Sequence, residues 1–92
     1  MLNRRLIQRH IFNISDLSTD VPMGWGTIIS VSTAPSNPGQ ILISYETDPT
    51  DRWPRRVFIF RDGVFVPDAV EHVGSVTMED GTNLHVYLQV RG

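Results

Sequence analysis

Apolar positions along the chain alternate with polar ones or form short blocks, and turn-forming residues separate these blocks. No stretch of about eleven residues repeats its apolar positions at helical spacing. The pattern therefore predicts an all-β chain whose strands each turn one apolar face toward a shared core. Because the chain has only 92 residues, we expect residues 1–92 to form a single β domain.

Glycine, proline, asparagine and aspartate bound the candidate strands. The predicted strands cover residues 4–14, 27–33, 40–46, 56–61, 72–78 and 84–90, with a shorter seventh arm at 64–66. Residues 16–26 are predicted to form the longest loop, and residues 68–71 a short helical turn. Six to seven short strands joined by turns predict a small antiparallel β-sandwich or a partly open barrel.

The segment 56–61 is apolar on both faces, since Val57 and Ile59 alternate with Phe58 and Phe60. This is typical of a central strand that is covered on both sides. The dipeptide Asp62-Gly63 follows it and favours a two-residue hairpin turn into 64–66. The predicted core comprises Ile28, Ile41, Ile43, Val57, Phe58, Ile59, Val76, Val86 and Leu88.

The last two candidate strands flank the turn-forming residues 79–83 and predict a closing hairpin. Gly74 inside the first arm predicts a β-bulge or a close backbone approach. The pairing that we expect places His72 opposite Gln89 and His85 opposite Val76, so that the two imidazoles do not face each other.

Composition excludes several classes of function. The chain has no cysteine, which excludes disulfides, thiolate nucleophiles and zinc fingers. All eight basic residues are arginine, which excludes Schiff-base lysines and phosphate-loop lysines. The apolar runs are too short to span a membrane, and no apolar secretion signal follows the N-terminal arginines. We therefore expect no membrane partner and a cytoplasmic location.

Residues with catalytic or metal-binding chemistry are scattered. The three histidines, His10, His72 and His85, lack the spacing of metal ligands. Ser75 lies in Gly74-Ser75-Val76 within a predicted strand, without the sharp strand-to-helix turn that exposes the nucleophile of many serine hydrolases. We therefore expect no enzyme, no catalytic residue, no metal and no cofactor.

The most chemically suggestive segment is Asp51-Arg52-Trp53-Pro54-Arg55-Arg56. Arginines beside an aromatic ring can stack bases and hold phosphates, as in proteins that bind single-stranded nucleic acid. Alternatively, an arginine stacks on Trp53 while Asp48 and Asp51 pair the remaining charge, and the segment is structural. The net charge of −2 favours this second interpretation.

Trp25 lies in the predicted loop 16–26 and is either buried under the loop or an exposed anchor for a partner. It completes the set of candidate partner-binding residues. That set is Trp25, Arg52, Trp53, Arg55 and Arg56.

The C-terminal half contains RVFIFRDGVFVP, then EHVGSVTMEDG, then LHVYLQV. With Val21, Pro22 and Gly24, this order of features resembles a family of short proteins encoded mainly by bacteriophages. The matching residues are Phe58, Gly63, His72, Val73, Gly74, Ser75, Val76, His85, Val86 and Tyr87. The chain has Asp62-Gly63-Val64 where the family often has Thr-Gly-His, so a role of that histidine does not transfer. The resemblance implies a phage origin, a bacterial cytoplasm and no activity that can be carried over.

Two functions follow as hypotheses. The first is a non-enzymatic accessory protein that binds a host or phage protein, or associates with itself through a sheet edge. For self-association we expect the N-terminal strand, with Arg4, Arg5 and Arg9, to meet the acidic stretch 62–80 of a second copy. The alternative is a single-stranded nucleic-acid-binding module that uses the Arg/Trp loop.

Overall fold

A computed structural model describes residues 4–90, which form seven strands and one short 3-10 helix at Ile14–Asp16. The strands are β1 (Leu6–Asn13), β2 (Ser18–Pro22), β3 (Thr27–Thr33), β4 (Gln40–Thr47), β5 (Pro54–Arg61), β6 (Val70–Thr77) and β7 (Asn83–Gln89). They form two antiparallel sheets, a three-stranded one of order β1-β4-β3 and a four-stranded one of order β2-β5-β7-β6. The all-β prediction is confirmed. Residues 4–90 contain no helix with the length and apolar character needed to cross a membrane.

The core lies between the two sheets and follows the two-residue period of the strands. On β4, for example, Ile41, Ile43 and Tyr45 are buried while the residues between them are half-buried. The buried apolar side chains are Phe12, Val21, Met23, Ile28, Ile41, Ile43, Tyr45, Val57, Ile59, Met78, Leu84, Val86 and Leu88. Each large apolar side chain buried in this way stabilises the fold by about 1.5 to 3 kcal/mol.

The two sheets approach each other at their edges without closing into a barrel. Strand β3 lies beside β6, and β1 lies beside β2. A Cβ atom at Gly74 would come within 2.8 Å of the Val31 Cγ2 atom, so glycine permits the close approach of β6 to β3. The architecture is therefore a seven-stranded sandwich with open edges, as predicted.

The structure corrects the predicted loop 16–26, because this segment contains β2. Strand β2 pairs antiparallel with β5, with Ser18 opposite Phe58. In its sequence STDVP the buried side chain is Val21, so the segment shows almost no apolar alternation. Pairing with β5 therefore defines this strand, and its own hydrophobic pattern does not.

The predicted hairpin arm at 64–66 is wrong. Asp62 and Gly63 do form a turn, in which Gly63 has a φ of 86° and the Val64 N–H donates to the Arg61 carbonyl at 3.3 Å. Residues 64–67 nevertheless lie outside any strand. The physical reason is that β7 occupies one edge of β5 up to Arg61, while β2 and Leu17 occupy the other edge up to Ile59, which leaves only a short edge for a returning arm. The predicted helical turn at 68–71 is also wrong, since β6 begins at Val70.

Strand β5 is central in its sheet, as predicted, but only one of its faces is covered by the other sheet. Val57 and Ile59 are buried, whereas Phe58 and Phe60 lie half-buried on the outer face. The prediction that Phe58 belongs to the core is therefore wrong. Val76 is only half-buried and packs against the edge of the core. The other seven predicted core residues are buried.

The closing hairpin has the predicted strands but a different register. The bulge expected at Gly74 is confirmed by a register shift between His72 and Gly74. Between the turn and the bulge Ser75 lies opposite His85, and beyond the bulge His72 lies opposite Tyr87. The predicted pairs of His72 with Gln89 and of His85 with Val76 are therefore wrong. The register between the turn and the bulge differs by one residue from the expected one, which brings Ser75 next to His85. The bulge then brings His72 onto the same face as Ser75.

Candidate functional site

The two tryptophans meet at one end of the sandwich, where the turn between β2 and β3 contacts the connection between β4 and β5. Their ring centroids lie 5.0 Å apart and the rings are nearly perpendicular, with an angle of 78°. Trp25 is 76% exposed and Trp53 is 42% exposed. We call this pair, together with Arg55, the Trp corner.

Arg55 holds the Trp corner together. It lies on β5 two residues before the buried Val57, so it shares the inward face of the strand at its end. Its guanidinium carbon lies 5.9 Å from the centroids of both indole rings, within the range of a cation–π interaction. The same guanidinium donates to the carbonyls of Gly24 and Gly26 at 3.2 and 3.4 Å. Arg55 therefore links both tryptophans to the backbone of the β2–β3 turn.

Backbone hydrogen bonds fix the two loops against each other. The Gly24 N–H donates to the Trp53 carbonyl at 2.9 Å, and the Trp25 N–H donates to Asp51 Oδ2 at 3.3 Å. Beneath them the buried Thr47 hydroxyl donates to the Met23 carbonyl at 2.8 Å. The exposed Trp25 ring thus projects from a turn whose backbone is held in place by these hydrogen bonds.

Glycine is required at position 24 for two reasons. Its φ is +50°, in the left-handed region that side chains rarely adopt. A Cβ atom there would also lie 2.1 Å from the Asp51 carbonyl oxygen. The tight approach of the two loops therefore depends on this residue.

Two clefts of similar size flank the Trp25 ring and carry opposite charges. One, of about 240 Å³, is lined by Trp25 with Glu46, Asp48, Asp51 and Arg5. The other, of about 230 Å³, is lined by both tryptophans with Arg55, Arg56, Gln89 and Val90. Trp25 therefore separates a mainly acidic cleft from a basic one.

The remaining arginines of the candidate set have different surroundings. Arg56 lies on the outer face of β5, where its Nε atom pairs with Asp20 at 3.0 Å and its Nη1 atom donates to Ser18 at 3.0 Å. Arg52 is exposed, and no ion pair to it is found within residues 4–90. The structure thus joins Trp25, Trp53 and Arg55 in one cluster, with Arg56 at the wall of a cleft.

The interpretation of an arginine stacked on Trp53 is confirmed, and Arg55 is that arginine. The expected pairing of arginines with Asp48 and Asp51 is wrong. Asp51 accepts the Trp25 N–H, and Asp48 accepts the backbone N–H and the hydroxyl of Thr50. The hydrogen bond from the Thr50 backbone N–H, and to a smaller extent the one from the Thr50 hydroxyl, holds the pKa of Asp48 below its ordinary value. Both carboxylates therefore accept hydrogen bonds from the loops at this end of the sandwich and form no ion pair with an arginine of residues 4–90.

A second cluster lies on the outer face of the four-stranded sheet, and the sequence did not predict it. His85 Nε2 lies 2.6 Å from Asp62 Oδ1, and His85 Nδ1 lies 2.8 Å from Ser75 Oγ. Ser75 Oγ also lies 2.8 Å from His72 Nε2. We call these four residues the Ser75 network. It was missed because the expected register placed Ser75 and His85 on opposite faces, and a register shifted by one residue from the closing turn onward would have found this pair.

The Asp62 carboxylate determines how protons are arranged in the Ser75 network. The hydrogen bond from His85, and to a smaller extent the one from Asn83, lowers the pKa of Asp62. An ionised Asp62 accepts a hydrogen bond from the N–H at His85 Nε2, so the neutral ring presents Nδ1 as an acceptor. The Ser75 hydroxyl then donates to His85 Nδ1, and His72 Nε2–H donates to Ser75 Oγ.

An aromatic row extends from the Ser75 network across the outer face. His72 and Tyr87 have ring centroids 5.3 Å apart, Tyr87 and Phe60 5.4 Å, and Phe60 and Phe58 6.1 Å. The outer face of this sheet thus presents rings where many antiparallel sheets present polar side chains.

Comparisons with protein-family models, with curated proteins and with solved structures find no significant match. Within residues 4–90 no three His, Asp or Glu side chains are grouped so that they could hold a metal ion. The chemistry of the Trp corner and of the Ser75 network is therefore the basis for assigning function.

Proposed function

We propose that the chain is a non-enzymatic module that binds another protein through the Trp corner. The observation that carries this proposal is the state of Trp25, which is 76% exposed and yet fixed by its contact with Trp53 and by the bonds of its turn. A rigid exposed tryptophan is an effective anchor, because its large apolar surface is buried on binding at little cost in conformational entropy.

The charges around the Trp corner favour a protein over a nucleic acid as partner. Arg55 directs its donors to backbone carbonyls, and Arg56 is paired with Asp20. The cleft on the other side of Trp25 is lined by Glu46, Asp48 and Asp51. A phosphate backbone would be repelled there, whereas a protein surface can present charges of both signs beside apolar groups.

The partner's contribution follows from the two clefts. An apolar side chain of the partner fits between Trp25, Trp53 and Val90 in the cleft of about 230 Å³. A basic side chain of the partner suits the cleft that contains Asp48 and Asp51. In line with the resemblance to small phage proteins, the partner is proposed to be a host or phage protein.

The test is capture of a partner from bacterial lysate by the immobilised full chain, with quantitative mass spectrometry. The variant Trp25→Ala removes the anchor, and Phe65→Ala, at a 98% exposed position in the loop after β5, is the matched control. We expect a specific protein to be retained by the wild type and by F65A, and to be lost at least about tenfold with W25A. Equal capture by all three proteins would contradict the proposal.

A titration with fluorescent single-stranded oligonucleotides at low and high salt tests the alternative. Binding that falls steeply with salt and requires Arg52 and Arg56 would replace the proposed protein partner by a nucleic acid. We expect no such binding, because the acidic cleft adjoins Trp25.

Self-association is a second candidate, favoured by the position of β1 at the edge of the three-stranded sheet. This edge strand exposes Ile7 and Ile11, at 70% and 56%. Unpaired backbone groups beside exposed apolar side chains form a template for pairing with a second copy. Sedimentation velocity at low and high salt tests it, and a monomer at hundreds of micromolar in both buffers would exclude the dimer.

A further inference from the structure

The Ser75 network plays no part in the proposed binding at the Trp corner. We propose that Ser75 is a nucleophile that accepts an acyl group from activated esters with an aromatic leaving group, and that His85 receives its proton. The reaction is a covalent modification of Ser75, and it is independent of any partner of the Trp corner.

The distances match those of an activated serine. Ser75 Oγ lies 2.8 Å from His85 Nδ1, and His85 Nε2 lies 2.6 Å from Asp62 Oδ1. A nucleophile in hydrogen-bond contact with a base that is oriented by a third group is the arrangement that activates a hydroxyl. The ring is used in the reverse sense of many serine hydrolases, with the carboxylate at Nε2 and the hydroxyl at Nδ1.

Asp62 acts as a positioning residue and His72 as a donor. The Asp62 carboxylate keeps the neutral His85 ring protonated at Nε2, so that Nδ1 can receive the Ser75 proton. His72 Nε2 lies 2.8 Å from the same Ser75 oxygen. Its N–H orients the Ser75 hydroxyl so that the hydroxyl proton points to His85 Nδ1.

The surroundings of Ser75 define the class of acyl donor. Ser75 is exposed on β6, an edge strand of its sheet, so an ester can reach it from solvent. Tyr87 lies against His72, and Phe60 pairs with His85 in the register of β5 and β7, so a flat ring can stack beside the nucleophile. Because the site is exposed, the donor has to carry a good leaving group, which aryl esters provide.

The step balances without a cofactor. A bond forms between Ser75 Oγ and the acyl carbon, and the bond from that carbon to the aryl oxygen breaks. The hydroxyl proton passes to His85 Nδ1 and from there to solvent. The phenolate leaves with the bonding electron pair, and Ser75 remains as an ester.

The experiment uses p-nitrophenyl acetate as the probe and the full chain as the protein. Nitrophenolate release is followed by absorbance, and peptide mass spectrometry locates the acetyl group. We expect acetylation at Ser75, its loss in Ser75→Ala, and a rate about a hundredfold lower in His85→Gln, which lacks the base. Ser32→Ala is the matched control, since Ser32 is also exposed on a strand and keeps Ser75 intact.

Asp62→Asn tests the positioning role. We expect the rate of Ser75 acetylation to fall about tenfold, and nitrogen NMR of the His85 ring to show loss of the single Nε2–H tautomer. A lower rate with an unchanged tautomer would overturn the role assigned to Asp62.

Acetyl groups found on imidazoles or the N-terminus instead of Ser75, or equal rates in the wild type, S75A and H85Q, would overturn the proposal. Circular dichroism confirms that each variant is folded. Trp25→Ala should acetylate at the wild-type rate, so failure of the acylation and failure of the binding proposal remain distinguishable.

Discussion

The Trp corner and the Ser75 network are both exposed clusters of functional side chains, but they are held in place differently. In the corner the bonds come from groups with fixed donor and acceptor roles, namely backbone amides and carbonyls, the Arg55 guanidinium and the Asp51 carboxylate. In the network every bond joins side chains, and two of the four residues are histidines whose protons can change position. The first arrangement presents a rigid shape, which suits recognition, and the second can move a proton, which suits chemistry.

The two regions also depend on different parts of the fold. The Trp corner is assembled from two loops and the end of β5, so its integrity requires close loop packing. The Ser75 network is assembled on neighbouring strands, so its integrity requires the correct register of β6 on β7. Substitutions that disturb loop packing should therefore damage the corner and leave the network intact.

Gly24→Ala is expected to have the largest effect. The added Cβ meets the Asp51 carbonyl at 2.1 Å at a positive φ, so we expect the free energy of unfolding to fall by about 2 to 4 kcal/mol. The control is Gly63→Ala, where φ is +86° but nothing lies within 4 Å, with an expected loss of about 1 kcal/mol. Urea unfolding of the two variants measures the difference. Equal losses would show that the contact between the two loops is unimportant.

Thr47→Val is expected to have the next largest effect on the corner. It leaves the Met23 carbonyl without the hydroxyl donor in a buried position, so we expect a loss of about 1 to 2 kcal/mol. Thr33→Val, at an exposed position at the end of β3, should change stability by less than about 0.5 kcal/mol. If T47V were as stable as T33V, this hydrogen bond would not support the Trp25 turn.

The sequence predicts the strands that carry a strong alternating pattern and misses those defined by their neighbours. Strand β3 has its predicted bounds, and β4 extends one residue beyond its own, because β-branched and alternating residues dominate there. Strand β2 shows little apolar alternation of its own and forms by pairing with one edge of β5. Conversely, residues 64–66 have the pattern of a strand, but β2 and β7 leave only the last residues of one β5 edge free to pair with them.

The candidate sites show the same limit. Composition singles out Trp25, Trp53 and Arg55, but only the folded loops bring them within contact distance. The Ser75 network needs a register at the closing turn that is correct to one residue, and the bulge at Gly74 adds a second shift that brings His72 to Ser75. Residue chemistry is thus readable from sequence, whereas the juxtaposition of distant residues depends on pairing that local patterns do not specify.

The stability of the fold is expected to depend on pH through His10. His10 lies on the inner side of β1 with Nε2 3.1 Å from Thr19 Oγ1, and burial lowers its pKa. Below about pH 6.5 the unfolded chain takes up a proton that the folded His10 resists, so stability is complete above this pH and falls as the pH decreases toward 5. Urea midpoints between pH 8 and 5 should show this slope, and His10→Gln should remove it. A slope that persists in H10Q would show that another group takes up the proton.

Trp25→Ala is expected to have the smallest effect on stability. The ring is 76% exposed, and the bonds of its turn come from backbone groups and Arg55 that the substitution leaves in place. Only the exposed contacts of the ring with Trp53 and Arg55 are lost, so we expect the free energy of unfolding to fall by less than about 1 kcal/mol. Trp53→Ala, which removes a more buried ring, should cost about 1 to 2 kcal/mol and is the comparison variant. Urea unfolding of both, next to the capture experiment, separates the two roles, because a binding anchor loses its partner without losing stability. A large destabilisation in W25A would instead make the exposed ring a structural element of the corner, and would remove the reason for assigning it to a partner.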